Sequence, residues 1–133
     1  MKRFVVDASA AAEYLLRTQV GLRLDDVVDG ALLMSPELLD VEVVSVFRRA
    51  VLHKKLEETR AAQAVEDLVA WPVDRIAHAQ LVQEAWRHRH NISAYDAFYV
   101  AAARLYDASL LTVDGPLSRA PGLGIVVHNI QMK

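Results

Sequence analysis

Apolar positions in this chain fall into short unbroken runs separated by longer helical stripes. Phe4, Val5 and Val6 form such a run, which predicts a strand buried on both faces over 3–7. A helix is expected over 8–18, with Asp7 or Ser9 able to cap it, and another over 20–29 that Gly30 stops. Residues 31–34 read as a short strand. Ser35 and Pro36 then have the arrangement that opens a helix, a hydroxyl cap followed by proline at the first helical position, and the stripe continues to about residue 55. Further helices are expected over 57–71, ended by Pro72, over 77–90 and over 93–106, with a break at 91–93. Short strands are expected at 73–76, 110–113 and 125–127. Strands that alternate with helices or helix pairs predict an α/β/α sandwich around a mainly parallel sheet. At 133 residues the chain is expected to form one domain spanning 1–133.

Composition narrows this only modestly. A net charge of −2 does not announce a nucleic-acid binder, so any phosphate contacts would have to come from local clusters of Lys and Arg. The absence of cysteine removes disulfides and thiolate metal sites and suits a reducing compartment. Lys2 and Arg3 precede an apolar run that Asp7 ends after three residues, too short for the core of a signal peptide. No run approaches the roughly 20 apolar residues of a membrane span. A soluble cytoplasmic protein with no membrane association is expected.

The acidic residues change the picture. In a parallel α/β sheet, strand C-termini and the N-termini of the following helices share one edge, where ligands bind. Asp7 ends the first strand and Asp114 ends the strand at 110–113; Asp96 lies in the first turn of the 93–106 helix, and Glu42 in the second turn of the helix after Pro36. The topology sends all four to one place. Each also has a plainer reading. Asp7 could cap a helix, Asp96 completes the capping-box spacing Ser93-x-x-Asp96, Asp114 precedes the turn residues Gly115-Pro116, and Glu42 could be solvated. Glu42 and Asp96, however, lie beside apolar stripes, and neither has a Lys or Arg within one helical turn. Carboxylates gathered there would repel one another unless protonated or neutralised by a cation. An all-oxygen donor set suits a hard divalent ion, Mg²⁺ or Mn²⁺. A metal on an open acidic edge fits phosphoryl chemistry, and no G-x-S-x-G or P-loop offers an alternative.

The segments V-V-D-A-S (5–9), P-E-L-L-D-V-E-V (36–43), Y-D-A-F-Y-V-A-A-A (95–103) and L-L-T-V-D (110–114) resemble those of PIN-domain ribonucleases, and specifically the VapC-type toxins of toxin–antitoxin pairs; the tail over 117–127 is similar too. The resemblance implies a Mg²⁺-dependent endoribonuclease acting on structured RNA such as tRNA or rRNA. It also implies a homodimer, and a small cognate antitoxin through which alone the protein would meet DNA. Asp7, Glu42, Asp96 and Asp114 would be the catalytic and metal-binding quartet, and Ser9 and Thr112 the supporting hydroxyls. Asp40 lies about 160° around the helix from Glu42, so one face cannot present both, and Glu42 is taken. No further acid follows Asp114, which leaves one or two ions open.

For RNA, Arg87 and Arg89 within R-H-R-H and Arg48 and Arg49 within a second basic stretch are the candidates, although cations at helix ends also favour the helix dipole. Apolar positions on the first two helices, Tyr14 to Val28, are divided between core and a docking face for the antitoxin or a second copy. Rival readings are a PIN-like nuclease outside a toxin–antitoxin pair, a non-catalytic PIN-like binding module and a haloacid-dehalogenase-type phosphatase. The last needs a second Asp where Ser9 stands.

Overall fold

Strand β1, Arg3–Val6, is the central strand of the computed structural model, which describes residues 1–130. Phe4, Val5 and Val6 are all buried, as a strand covered on both faces requires. Around it lie β2 (Leu32–Pro36), β3 (Asp74–Ile76), β4 (Ser109–Thr112) and β5 (Val127–Asn129), in the order β3-β2-β1-β4-β5 and all parallel. The chain steps outward from β1 to β2 and β3, then returns to the other side of β1 for β4 and β5. The direction therefore reverses between β1 and β4, where Val6 pairs with Leu111. The carboxyl ends of these two strands form the switch point at which open α/β sheets bind ligands.

The helices cover the sheet in two groups. α1 (Ala8–Leu16) packs against α2 (Gln19–Val28), α3 (Leu38–Leu52) and α4 (Glu58–Ala70). α6 (Ala94–Leu105) lies on β1, β2 and β4 and against the short α5 (Val82–Trp86). The close approach of α2 to α1 depends on Gly21, where a Cβ would overlap the Glu13 carbonyl. Much of the apolar surface of α1 and α2 is core. Leu15 and Leu24 are buried and Tyr14 stacks on Trp71, while Leu22 stays exposed. None of the described helices is long and apolar enough to cross a membrane.

Four expectations are corrected. Ser35 and Pro36 do not open a helix; they are the last two residues of β2, both buried, and the Ser35 hydroxyl donates to the Val6 carbonyl at 2.8 Å. Proline is tolerated there because it ends the strand, and Glu37 supplies the next N–H, to the Ile76 carbonyl. The span 77–90 is not one helix but a 3₁₀ turn at His78–Gln80, the five-residue α5 and then turns. The last strand begins at Val127 rather than at 125. A short helix, α7 (Gly115–Arg119), stands where a turn was expected; Asp114 followed by proline inside the first turn was a readable start signal.

Candidate active site

At the β1–β4 end, Asp7 follows β1 directly and caps α1, with Oδ1 accepting from the Ala10 N–H at 3.0 Å and from the Ser9 hydroxyl at 2.7 Å. Ser9 Oγ accepts in turn from the Val113 N–H at 3.1 Å and lies 3.3 Å from Thr112 Oγ1. Thr112 Oγ1 accepts from the Asp114 N–H at 2.9 Å, and Asp114 Oδ1 caps α7 through the Leu117 N–H at 3.2 Å. One hydrogen-bonded network thus fixes both strand ends. Capping and a position at the sheet edge, which the sequence offered as alternatives for Asp7, coexist there, and Asp114, read as a turn residue, is a cap as well.

The other two acids come from helices. Glu42, half-buried on α3, accepts a 2.6 Å hydrogen bond at Oε1 from the hydroxyl of Tyr99 on α6. Asp96 sits one turn before Tyr99, and its backbone N–H donates to the capping Ser93 hydroxyl at 3.1 Å. The cap therefore does not depend on the Asp96 carboxylate. Asp40 is spent elsewhere, 2.9 Å from the Arg75 guanidinium. The start of α3 has no cap from its own chain neighbours; His78 Nε2 accepts the Leu38 N–H at 2.8 Å, and its ring lies against Phe98.

The electrostatics place the four acids within one another's fields. Burial pushes the Asp7 carboxyl from 3.8 up to about 6, against the hydrogen bonds from Thr112, Ala10 and Ser9, and the charge of Asp96 adds to the rise. Asp96 is raised by burial first and then by the carboxylates of Asp114 and Glu42, with the Ser93 hydroxyl opposing. The Tyr99 phenol is pushed far up by burial, by its bond to Glu42 and by the charges of Glu42 and Asp7, so it remains a donor. Among the described residues no ion pair reaches any of the four acids. Nor is any group of three or more His, Asp or Glu side chains drawn up to hold an ion directly. The four acids offer only oxygen donors, which suit a hard divalent ion.

The other predicted residues lie apart from this network. Arg48 and Arg49 are exposed near the end of α3. Arg87 and Arg89 are exposed after α5; Arg87 is 3.5 Å from Glu84, and Arg89 lies over the ring of the exposed Trp86. His88 is buried between them. Sequence reasoning missed Tyr99 and His78. Tyr99 left a trace, since a phenol placed on an apolar helix face needs a partner for its hydroxyl. The partner of His78 lies forty residues away, and no local pattern marks it.

A PIN domain family model matches residues 4–123. Ribonuclease VapC1 of Mycobacterium tuberculosis is 38% identical over 125 residues, covering 92% of this chain and 94% of that protein. Ribonuclease VapC12 of the same species is 30% identical over 129 residues, covering 97% and 96%. Among solved structures, the sarcin–ricin-loop-cleaving toxin VapC20 of M. tuberculosis matches with a TM-score of 0.66 at 19% identity, covering 92% of this chain and 96% of that one. VapBC2 from Rickettsia felis, bound to a fragment of promoter DNA, matches at 0.58 and 12% identity, covering 95% and 97%. The chain belongs to the PIN-domain family, among its VapC-type members.

Proposed function

We propose that this chain is the toxin of a toxin–antitoxin pair, a cytoplasmic endoribonuclease that cuts structured RNA with the help of Mg²⁺ or Mn²⁺. The observation that carries this reading is the electrostatic coupling of Asp96 to Asp7, Glu42 and Asp114, with no ion pair to any of the four among the described residues, in a chain of VapC type. These four residues would hold the ion, singly or as a pair, and Ser9 and Thr112 would support them. When bound, the ion supplies Lewis-acid charge toward a phosphate oxygen and makes water a stronger nucleophile. The chain's part is orientation. Ser9 and the Ala10 N–H fix the Asp7 carboxylate, the Leu117 N–H fixes Asp114 and Tyr99 fixes Glu42. Bare, the four acids would repel a phosphodiester, so RNA engages the edge only once their charge is offset. Arg87, Arg89, Arg48 and Arg49 would contact the RNA backbone away from the scissile bond. A cognate antitoxin and a second copy of the chain would be its protein partners, with promoter DNA reached only through the antitoxin. The Rickettsia felis assembly on promoter DNA supports this arrangement.

The test is cleavage of purified tRNA and rRNA. Cutting is expected with Mg²⁺ or Mn²⁺ and none with EDTA. Asp96→Asn should lower the rate at least about a hundredfold, since a ligand's share of metal catalysis is several kcal/mol. It should leave the fold intact, because the Ser93 cap uses the Asp96 backbone N–H. Cutting that survives exhaustive chelation overturns the metal mechanism, and an Asp96→Asn protein that cuts at the wild-type rate removes Asp96 from the site.

A further inference from the structure

We infer that Tyr99 is a positioning residue that commits Glu42 to binding through one oxygen and thereby biases the site toward Mg²⁺ over larger divalent ions. This rests on the metal reading above. The phenol donates to Glu42 Oε1 at 2.6 Å, the short distance of a hydroxyl bonded to a charged acceptor. Oε2 has no partner among the described residues. The ring cannot follow a moving carboxylate, because Tyr99 is 1% exposed within α6, flanked by the buried Val100, Ala102 and Ala103. Glu42 would otherwise sample several rotamers and could turn both oxygens toward one ion. Held at Oε1, it presents Oε2 alone.

That difference matters for ion choice. Mg²⁺ demands near-ideal octahedral geometry and keeps its water, which suits single-oxygen carboxylates, whereas Ca²⁺ readily takes a carboxylate through both oxygens in a larger, looser shell. A phenol that ties up one carboxylate oxygen therefore acts against the larger ion. It also bridges the two helices that carry Glu42 and Asp96, since Asp96 and Tyr99 lie one turn apart on α6. Hydrogen bonds from such outer partners to a ligand are worth about 10–100-fold in affinity. A purely structural hydroxyl, buried and bonded for its own sake, would stabilise the fold without distinguishing one ion from another.

The experiment measures Mg²⁺, Mn²⁺ and Ca²⁺ binding to the metal-free protein by calorimetry and by the shift in melting midpoint. It compares the wild type, Tyr99→Phe, Glu42→Gln and the double variant. Tyr99→Phe should lose about 10–100-fold in Mg²⁺ affinity and little or none in Ca²⁺ affinity, so that the Mg²⁺/Ca²⁺ preference falls at least about tenfold. In the Glu42→Gln background the same change should alter neither, because Tyr99 acts through Glu42. Equal losses for all ions, or an unchanged loss in the Glu42→Gln background, overturn the inference. A wild-type protein whose midpoint no divalent ion moves overturns the proposed function instead, and this inference with it. Should Tyr99→Phe fail to fold, Glu42→Asp, one methylene short of the phenol, reads the same ratio, and an unchanged ratio there overturns the inference.

Discussion

Two buried carboxylates in this molecule are treated in opposite ways. The Glu84 side chain on α5 is 10% exposed and faces two arginines, with Arg104 Nε at 3.3 Å and Arg87 Nη1 at 3.5 Å, while His88 Nε2 lies 3.6 Å away. Asp7, at 5% exposed, receives only hydroxyls and a backbone N–H. Asp40 follows the first pattern through Arg75, and Glu42 follows the second through Tyr99. Among the described residues no arginine pairs with Asp7, Glu42, Asp96 or Asp114, although the Arg119 guanidinium lies against Gly115 beside Asp114. A buried charge left without a counter-charge is unfavourable. When a fold neutralises its acids in one region and leaves another group bare, the bare group is where function is being served at the expense of stability.

The widest break between the two regions should come from Asp7→Asn, which removes a charge and keeps the acceptor that caps α1. The Asp7 carboxyl lies at about 6 in the folded chain against an ordinary 3.8. The native state therefore holds more protons than the unfolded state between those values. Stability falls as pH rises through that window, and above it the full penalty applies, on the order of 3 kcal/mol. Metal-free Asp7→Asn should melt well above the wild type at pH 7 and close to it near pH 4. Added Mg²⁺ should narrow the gap at pH 7 by stabilising only the wild type strongly, by about 2.7 kcal/mol at a hundredfold excess over its dissociation constant. Parallel pH profiles for the two proteins, with and without the ion, would show that Asp7 is an ordinary cap.

Much of this contrast could be read from the sequence, because it follows from where elements start and stop. Asp7 after an apolar run, Asp114 after L-L-T-V and Asp96 at a helix start are statements about boundaries, and a parallel sheet converts boundaries into one shared edge. Helical periodicity showed only that Glu42 and Asp40 cannot share one face, and the resemblance pointed to Glu42; in the structure Asp40 is paired with Arg75. What escaped were contacts between residues distant in sequence. Ser35-Pro36 has the local chemistry of a helix start, but pairing with β3 and the bond to the Val6 carbonyl hold it in the sheet. His78 caps α3 from another element, and the phenol of Tyr99 finds a carboxylate 57 residues away. The shortness of α5 was hidden as well, since 81–86 looks helical while the turns after it are set by packing around Glu84 and His88.

Glu84→Gln should move stability the other way. The variant keeps the shape and the acceptor oxygen but leaves Arg104 and the region of His88 without their negative partner. Arg87 and Arg104 are partly solvated, so the loss is expected at about 1–2 kcal/mol, below the value for a fully buried pair. Denaturant titration of the metal-free protein at pH 7 would read it directly. The two isosteric changes, Asp7→Asn and Glu84→Gln, each delete one buried negative charge and should have opposite signs. If both destabilise, the distinction between neutralised and bare acids does not describe the molecule.

The smallest effect concerns the cations around Glu84 themselves. Arg87 is 65% exposed and shares Glu84 with the closer Arg104, and Arg89 rests on the exposed Trp86 at 4.9 Å. Replacing both with Ala should cost less than about 1 kcal/mol of stability, as exposed pairs usually do. Their larger consequence should be in RNA binding. Each phosphate of a single strand that a side chain no longer neutralises lowers the slope of log affinity against log salt by about 0.7. The pair should therefore flatten that slope by up to about 1.4 if both side chains reach the backbone. Arg48→Ala with Arg49→Ala is the matched comparison, since these arginines make no ion pair among the described residues. Binding is best measured with the Asp96→Asn protein, so that the RNA stays whole during titration. A slope that falls for one pair alone identifies the cluster that carries the RNA. If neither slope changes, both clusters are solvated helix ends, and the cations of this fold serve only to neutralise its structural acids.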